Sequence, residues 1–239
     1  SYAKPAFASS TAAGSSPALA VDENIRSWWS AADATPGQWL AVDLGKPCDV
    51  RAVQVNLADQ DVAVEFPPEA YGDDRRTRHI ELEPQISRYT IETSADGKAW
   101  HTLETVAREC SNGYYEYETG VTARYVRVVG DALPYGQPLR IAGLRVFGNG
   151  GGAKPAPAKA VAERVGDLDA VVRWQPLSEM GAQGVNIRYG TAPDKLYLSH
   201  LVYGTSEATL TTLVAGQGYY VAVDSFNENG ITPGAVFVL

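Results

Sequence analysis

The stretch Gly148–Lys159, GNGGGAKPAPAK, limits what this chain can fold into more than any other. A glycine run followed by alternating prolines reads as a linker, flexible first and stiffer afterwards. It divides the 239 residues into a first domain over 1–149, a linker over 150–159 and a second domain over 160–239. Each flank is long enough for one β domain.

Both flanks read as strand. In the first, Gln38–Leu44 and Arg51–Leu57 are separated by Gly45-Lys46-Pro47, a turn signature. Val53, Val55 and Leu57 share one face, with Gln54 and Asn56 on the other, as in a half-buried strand. Ser87–Ser94 leads through Ala95-Asp96-Gly97-Lys98 into Ala99–Thr105, a hairpin with an Asp-Gly turn. Gly113–Glu118, Arg124–Val129 and Arg140–Phe147 are further strands, and no segment of this half has a convincing helical period. Ala58–Pro84 interrupts the rhythm, and a loop of that length in a compact domain is usually functional or locally disordered. Beyond the linker, Val172 and Trp174 alternate with Arg173, and Val185, Ile187 and Tyr189 with Asn186 and Arg188. Tyr219, Val221 and Val223 alternate in the same way. Short strands at that spacing read as an immunoglobulin-like sandwich.

One stretch fits neither pattern. Ala18–Ala31, ALAVDENIRSWWSA, carries Asp, Asn and Ser at its centre and ends in two adjacent tryptophans. Its polar side chains either bond back to their own backbone or grip an ion. Trp28 and Trp29 are a large aromatic surface for a loop, so something must bury at least one of them.

Charge and motifs exclude several functions. A net charge of −8 and a pI near 4.9 repel phosphate backbones and anionic lipid, so neither nucleic acid nor a membrane surface is an expected partner. No apolar run approaches the ~18 residues of a membrane helix. The chain starts at Ser1 without a basic-then-apolar leader, which suggests a processed or excised sequence. Cys48 and Cys110 are the only cysteines, too few for a thiolate zinc site; they form one bridge in an exported protein or stay as two buried small hydrophobes. The three histidines, His79, His101 and His200, are scattered, and nucleophile-elbow, zinc and phosphate-loop motifs are missing. The chain is not expected to be an enzyme by itself.

Several motifs carry a family resemblance. Ala20-Val21-Asp22-x-Asn24-x-x-Ser27-x-Trp29, Trp39-Leu40-Ala41-Val42-Asp43-Leu44-Gly45, Tyr89–Ser94 with Asp96-Gly97-x-x-Trp100, Arg124–Val128 and Leu144–Gly148 occur in order. They resemble coagulation factor 5/8 type C, or discoidin, domains, the group that includes family 32 carbohydrate-binding modules. Trp174 and the segment Leu213-x-Ala215-x-Gln217-x-Tyr219 resemble a fibronectin type III domain, with Tyr219 as its corner tyrosine. Asp22–Ala31, Ala58–Asp61 and Gly143–Gly148 together look like the C-terminal, non-catalytic part of bacterial family 43-like glycoside hydrolases.

These resemblances imply an all-β chain, a discoidin-like jelly-roll sandwich followed by a fibronectin type III sandwich. The implied function is recognition of a polysaccharide or oligosaccharide in service of a hydrolase, secreted or periplasmic, with a catalytic domain upstream in the same chain. The rival is a structural brace that docks on that domain and binds no sugar. A sugar site needs exposed aromatic rings with Arg, His, Asn or Asp beside them. Trp28, Tyr71, Arg75, Arg76, His79, Tyr114, Tyr115 and Tyr135 are the candidates, whereas Trp29, Trp39 and Trp100 match positions that pack in the family. The resemblance also implies a structural calcium held by Asp22, Asn24 and Ser27, weakened because Gly143 stands where the family has a glutamate. Without an ion, Asp22 and Ser27 would close the loop by hydrogen bonds alone.

Overall fold

Alternation of apolar and polar residues decides the architecture of both halves. The computed structural model describes residues 1–59, 62, 82–211 and 213–239. They divide into two units, Ser1–Gly148 and Asn149–Leu239. The chain is all-β, with sandwich sheets, as the sequence predicts.

The first unit is built from β1 (Ala6–Ala8), β2 (Trp29–Ser30), β3 (Trp39–Leu57), β4 (Ser87–Ser94), β5 (His101–Arg108), β6 (Asn112–Ala132) and β7 (Arg140–Asn149). Hydrogen-bonded neighbours run β2-β7-β3-β6-β4-β5, with β1 added on β3. β3 and β6 are the long members, and their ladder shifts register between Asp43 and Cys48 and again between Val50 and Ala52. Such shifts bend a strand and let it pass from one layer of a sandwich to the other. The turn expected at Gly45-Lys46-Pro47 is thus a bend inside one strand, with Gly45 at φ +88°. Gly113–Glu118 and Arg124–Val129 are likewise two ends of one strand. Gly120 lies between them at φ +68°, where a Cβ would collide with the Asp49 carboxylate. The Asp-Gly hairpin forms as read: Asp96 Oδ1 accepts from the amides of Lys98 and Ala99, each at 2.9 Å.

Leu40, Val42, Val53, Val55, Tyr89, Ile91, Val126, Val128, Ile141 and Leu144 fill the core around Trp29. Trp29 is fully buried, and its indole N–H donates to Ser10 O and Thr11 Oγ1, both at 3.2 Å. Trp39 and Trp100 depart from expectation: both are only half-buried. They flank Arg127, whose guanidinium lies 4.0 Å from the Trp100 ring centre, 5.7 Å from that of Trp39 and 2.6 Å from Glu92. Period two explains this, because Leu40 and Val42 face inward and Trp39 therefore faces outward.

The second unit contains β8 (Ala160–Arg164), β9 (Ala170–Trp174), a single helical turn α1 (Leu177–Met180), β10 (Gly184–Gly190), β11 (Leu198–Tyr203), β12 (Glu207–Leu210), β13 (Tyr220–Asn227), β14 (Gly230–Thr232) and β15 (Phe237–Val238). One sheet runs β11-β10-β13-β14, with β15 also on β13; the other runs β12-β9-β8. Between them lie Val172, Trp174, Ile187, Tyr189, Leu210, Val221 and Val223, an immunoglobulin-like sandwich core. The Tyr219 hydroxyl accepts from the Val214 amide at 3.2 Å, the corner contact its position suggests.

The Gly/Pro tract is not free. Gly150 N donates to Glu228 O, Ala156 N to Met180 O, Ser225 Oγ to Ala156 O and Thr232 Oγ1 to Pro155 O. Pro155 is buried. An extended proline-rich segment leaves its carbonyls unpaired within itself, and here second-unit donors take them. Cys48 and Cys110 are not joined in a disulfide. Among the described residues no helix is long and apolar enough to cross a membrane.

Candidate functional site

The loop before β2 closes on itself. Asp22 Oδ1 accepts from Asn24 N at 2.8 Å and Asp22 Oδ2 from Ser27 Oγ at 2.6 Å. Ser27 Oγ also lies 2.9 Å from Asn24 O, and Asn24 Oδ1 accepts from Arg26 N at 3.1 Å. Glu23 sits at φ +62°, a backbone that side-chain-bearing residues seldom adopt. Arg145 of β7 pairs with its carboxylate at 2.6 Å. Asp22, Ser27 and Asn24 thus bring three oxygens together with one carboxylate that, among the described residues, pairs with no cation. Calcium takes six to eight oxygens. The strand that would supply a second carboxylate has Gly143, and a Cβ there would meet Asn56 Oδ1 at 3.1 Å rather than the loop. Among the described residues no cluster of three or more His, Cys, Asp or Glu could hold a metal. The loop's side chains thus offer a calcium ion one carboxylate and few oxygens, and any further ligands would be backbone carbonyls.

A cavity of about 460 Å³ opens at one end of the first unit. Segments distant in sequence line it: Leu57–Asp59, Gln85 and Ser87, Glu109–Ser111, and Leu133–Arg140. Pro134–Gly136 forms a tight turn that holds Tyr135 at φ +58°, ψ 24°. The turn is tied by Gly136 N to Leu133 O at 3.1 Å and by Gln137 Nε2 to Pro134 O at 3.0 Å. A non-glycine residue in this backbone costs about 1–2 kcal/mol, yet Tyr135 remains 42% exposed, so the strain does not serve core packing. Asp59, Glu109, Gln137 and Arg140 put carboxylates, an amide and a guanidinium around the same space. A flat ring beside such groups suits a molecule with one apolar face and several hydroxyls.

A second cavity, about 380 Å³, lies beside Trp28. Its floor is Ala12, Ala13, Gly14 and Ser15, small residues that leave the half-buried indole in an open recess. Ser15 Oγ donates to Trp28 O at 3.2 Å and accepts from Ser30 N at 3.0 Å, which fixes this edge. Arg140 lines this cavity too.

The other candidates fall elsewhere. Tyr71, Arg75, Arg76 and His79 lie outside the described residues. The Tyr115 hydroxyl is 2.7 Å from that of Tyr89, and burial together with this bond pushes the Tyr89 phenol well above its ordinary pKa. Tyr115 is thereby committed to packing. Tyr114 is exposed and meets Phe147 edge-on at 6.0 Å, and it lines neither cavity. Sequence reading did not pick out Asp59, Glu109, Gln137 and Arg140 as site residues; the segments that follow β3 and β5 and lead into β7 gather them.

Comparison with known proteins bears on the first unit. Residues 19–128 match the F5/8 type C family model described as a NedA-like, galactose-binding domain. This unit resembles the family 32 carbohydrate-binding modules. Chitosan-binding module 1 of a chitosanase/glucanase from Paenibacillus sp. IK-5 is 26% identical, with a TM-score of 0.48, and the match covers 62% of this chain and 96% of that one. The family 32 module of C. perfringens NanJ, solved with galactose, is 19% identical, with a TM-score of 0.43 over 59% and 91%. The family 32 module of AlyQ, solved with 4,5-unsaturated mannuronic acid, is 21% identical, with a TM-score of 0.45 over 61% and 96%. No curated protein matches the chain.

Proposed function

We propose that the first unit binds carbohydrate in the cavity rimmed by Tyr135, as a non-catalytic accessory to a polysaccharide-degrading enzyme. One observation carries the reading. A strained, half-exposed tyrosine lines a largely apolar cavity that also carries Asp59, Glu109, Gln137 and Arg140, in a unit whose residues 19–128 match a galactose-binding family model. Stacking on the ring would select the apolar face of a pyranose, and Asp59, Gln137 and Arg140 would take up its hydroxyls. In this reading the second unit is a fibronectin type III spacer, and the chain works outside the cytoplasm beside a catalytic domain.

The test is titration calorimetry and affinity electrophoresis of the full chain against galactose and glucosamine oligosaccharides, galactan, arabinan, xylan and chitosan. At least one should bind. Tyr135→Ala should weaken that binding about tenfold while the melting temperature stays within a few degrees. Silence across the panel would sink the reading. The brace alternative draws on the exposed Tyr197, Leu198 and Leu201 at the sheet edge β11, and it predicts that silence.

A further inference from the structure

Arg140 lies between two cavities. It is the first residue of β7, whose neighbours are β2 and β3. On one side its ladder partner is Ser30, part of the Trp28 cavity. On the other side its carbonyl accepts from Ala58 N at 3.1 Å, and Ala58 belongs to the Tyr135 cavity. Arg140 lines both spaces. Adjacent strands are about 4.8 Å apart, so the strands carrying Ser30 and Ala58 stand about 10 Å apart across β7. Each cavity has one exposed or half-buried aromatic ring, and Arg140 is the residue that lines both.

We infer that the two cavities form one extended subsite array, with Arg140 as its midpoint, for an oligosaccharide of at least two sugar residues. The inference rests on the carbohydrate reading above. Tyr135 receives one ring, Arg140 hydrogen-bonds hydroxyls near the linkage, and Trp28 receives a further ring over the small-residue floor. A monosaccharide fills only the Tyr135 side, so affinity rises with chain length. Trp28 governs that rise, and Tyr135 governs affinity at every length.

The experiment is calorimetric titration of the full chain with galactose, galactobiose and galactotetraose. Xylose through xylotetraose and glucosamine through chitotetraose are run in parallel. In one series the tetramer should bind at least tenfold more tightly than the monomer. Trp28→Ala should remove most of that gain and leave monomer affinity within about twofold, whereas Trp28→Phe should restore it, which separates ring contact from a folding defect. Equal affinity for monomer and tetramer, or a length gain untouched by Trp28→Ala, overturns the inference while the carbohydrate reading stands. No heat with any sugar overturns both.

Discussion

Removal of the Asp22 carboxylate tests how the loop before β2 is held. In the structure both oxygens are engaged, one by Asn24 N at 2.8 Å and one by Ser27 Oγ at 2.6 Å. A hydrogen bond to a charged acceptor contributes about 1.5–3 kcal/mol when shielded. At this partly exposed loop the lower value of about 1 kcal/mol each is appropriate, so Asp22→Ala should cost about 2 kcal/mol. For a unit of this size that is a fall in melting temperature of about 4–8 °C. Asp22→Asn keeps a neutral acceptor and should lose about half as much. Arg145 and Glu23 remain to pin the neighbouring turn. The assay is differential scanning fluorimetry of wild type and both variants, each with chelator and with millimolar calcium. If the loop is closed by its own hydrogen bonds, wild type melts at the same temperature in chelator and calcium, and the variant losses are alike in both. A chelator-induced fall in wild type as large as the Asp22→Ala loss, and missing from the variants, would refute the hydrogen-bond account and restore calcium as the loop's fastener.

Other outcomes follow from the same coordinates. Asp43 is held below its ordinary carboxyl value of 3.8, chiefly by its paired hydrogen bonds to Arg124. Because the folded pKa is the depressed one, the pair stabilises fully above about pH 4, and its contribution disappears as pH falls through the folded value. Asp43→Asn should therefore lower the melting temperature at pH 7 and approach wild type as the pH falls below the depressed folded value of Asp43, and an equal deficit at neutral and acid pH would contradict the pairing. In the second unit, Ser225→Ala removes the donor to Ala156 O inside a buried site. It should cost about 1–2 kcal/mol in urea unfolding of the full chain; an unchanged midpoint would mean that the Gly/Pro tract is not held there.

The fold class was legible because alternation is a local signal, and the longer strands showed it, whereas the short ones β1, β8, β11, β12, β14 and β15 did not stand out. The bends were not legible from the same signal. Gly45-Lys46-Pro47 has the composition of a turn, and only the partner strand β6 shows that the chain resumes in the same ladder. Trp39 and Trp100 illustrate a second limit. Their match to packed positions of the resembled family argued for the core, but parity placed Trp39 on the outer face, where Arg127 and Glu92 complete an ion–aromatic stack. The candidate site was legible in part, since Tyr135 and Trp28 stood out as aromatic residues in loops. Arg140 did not stand out, because its role comes from having Ser30 on one side and Ala58 on the other, more than 80 positions away in the chain. The Gly/Pro tract misled for a related reason: its composition describes an isolated peptide, whereas Ser225 and Thr232 supply donors from far downstream.

The bends in β3 and β6 also bear on how the first unit comes apart. β3 and β6 are paired along nearly their whole length through these shifts, so one continuous ladder joins the two ends of the unit. Amide exchange in either layer must open the same ladder, and the deepest protons, from Val42 through Val55 on β3 and Tyr115 through Val128 on β6, should exchange together with one free energy. A sandwich whose strands kept to their own layers could breathe one face at a time. This unit is built to unfold as one body.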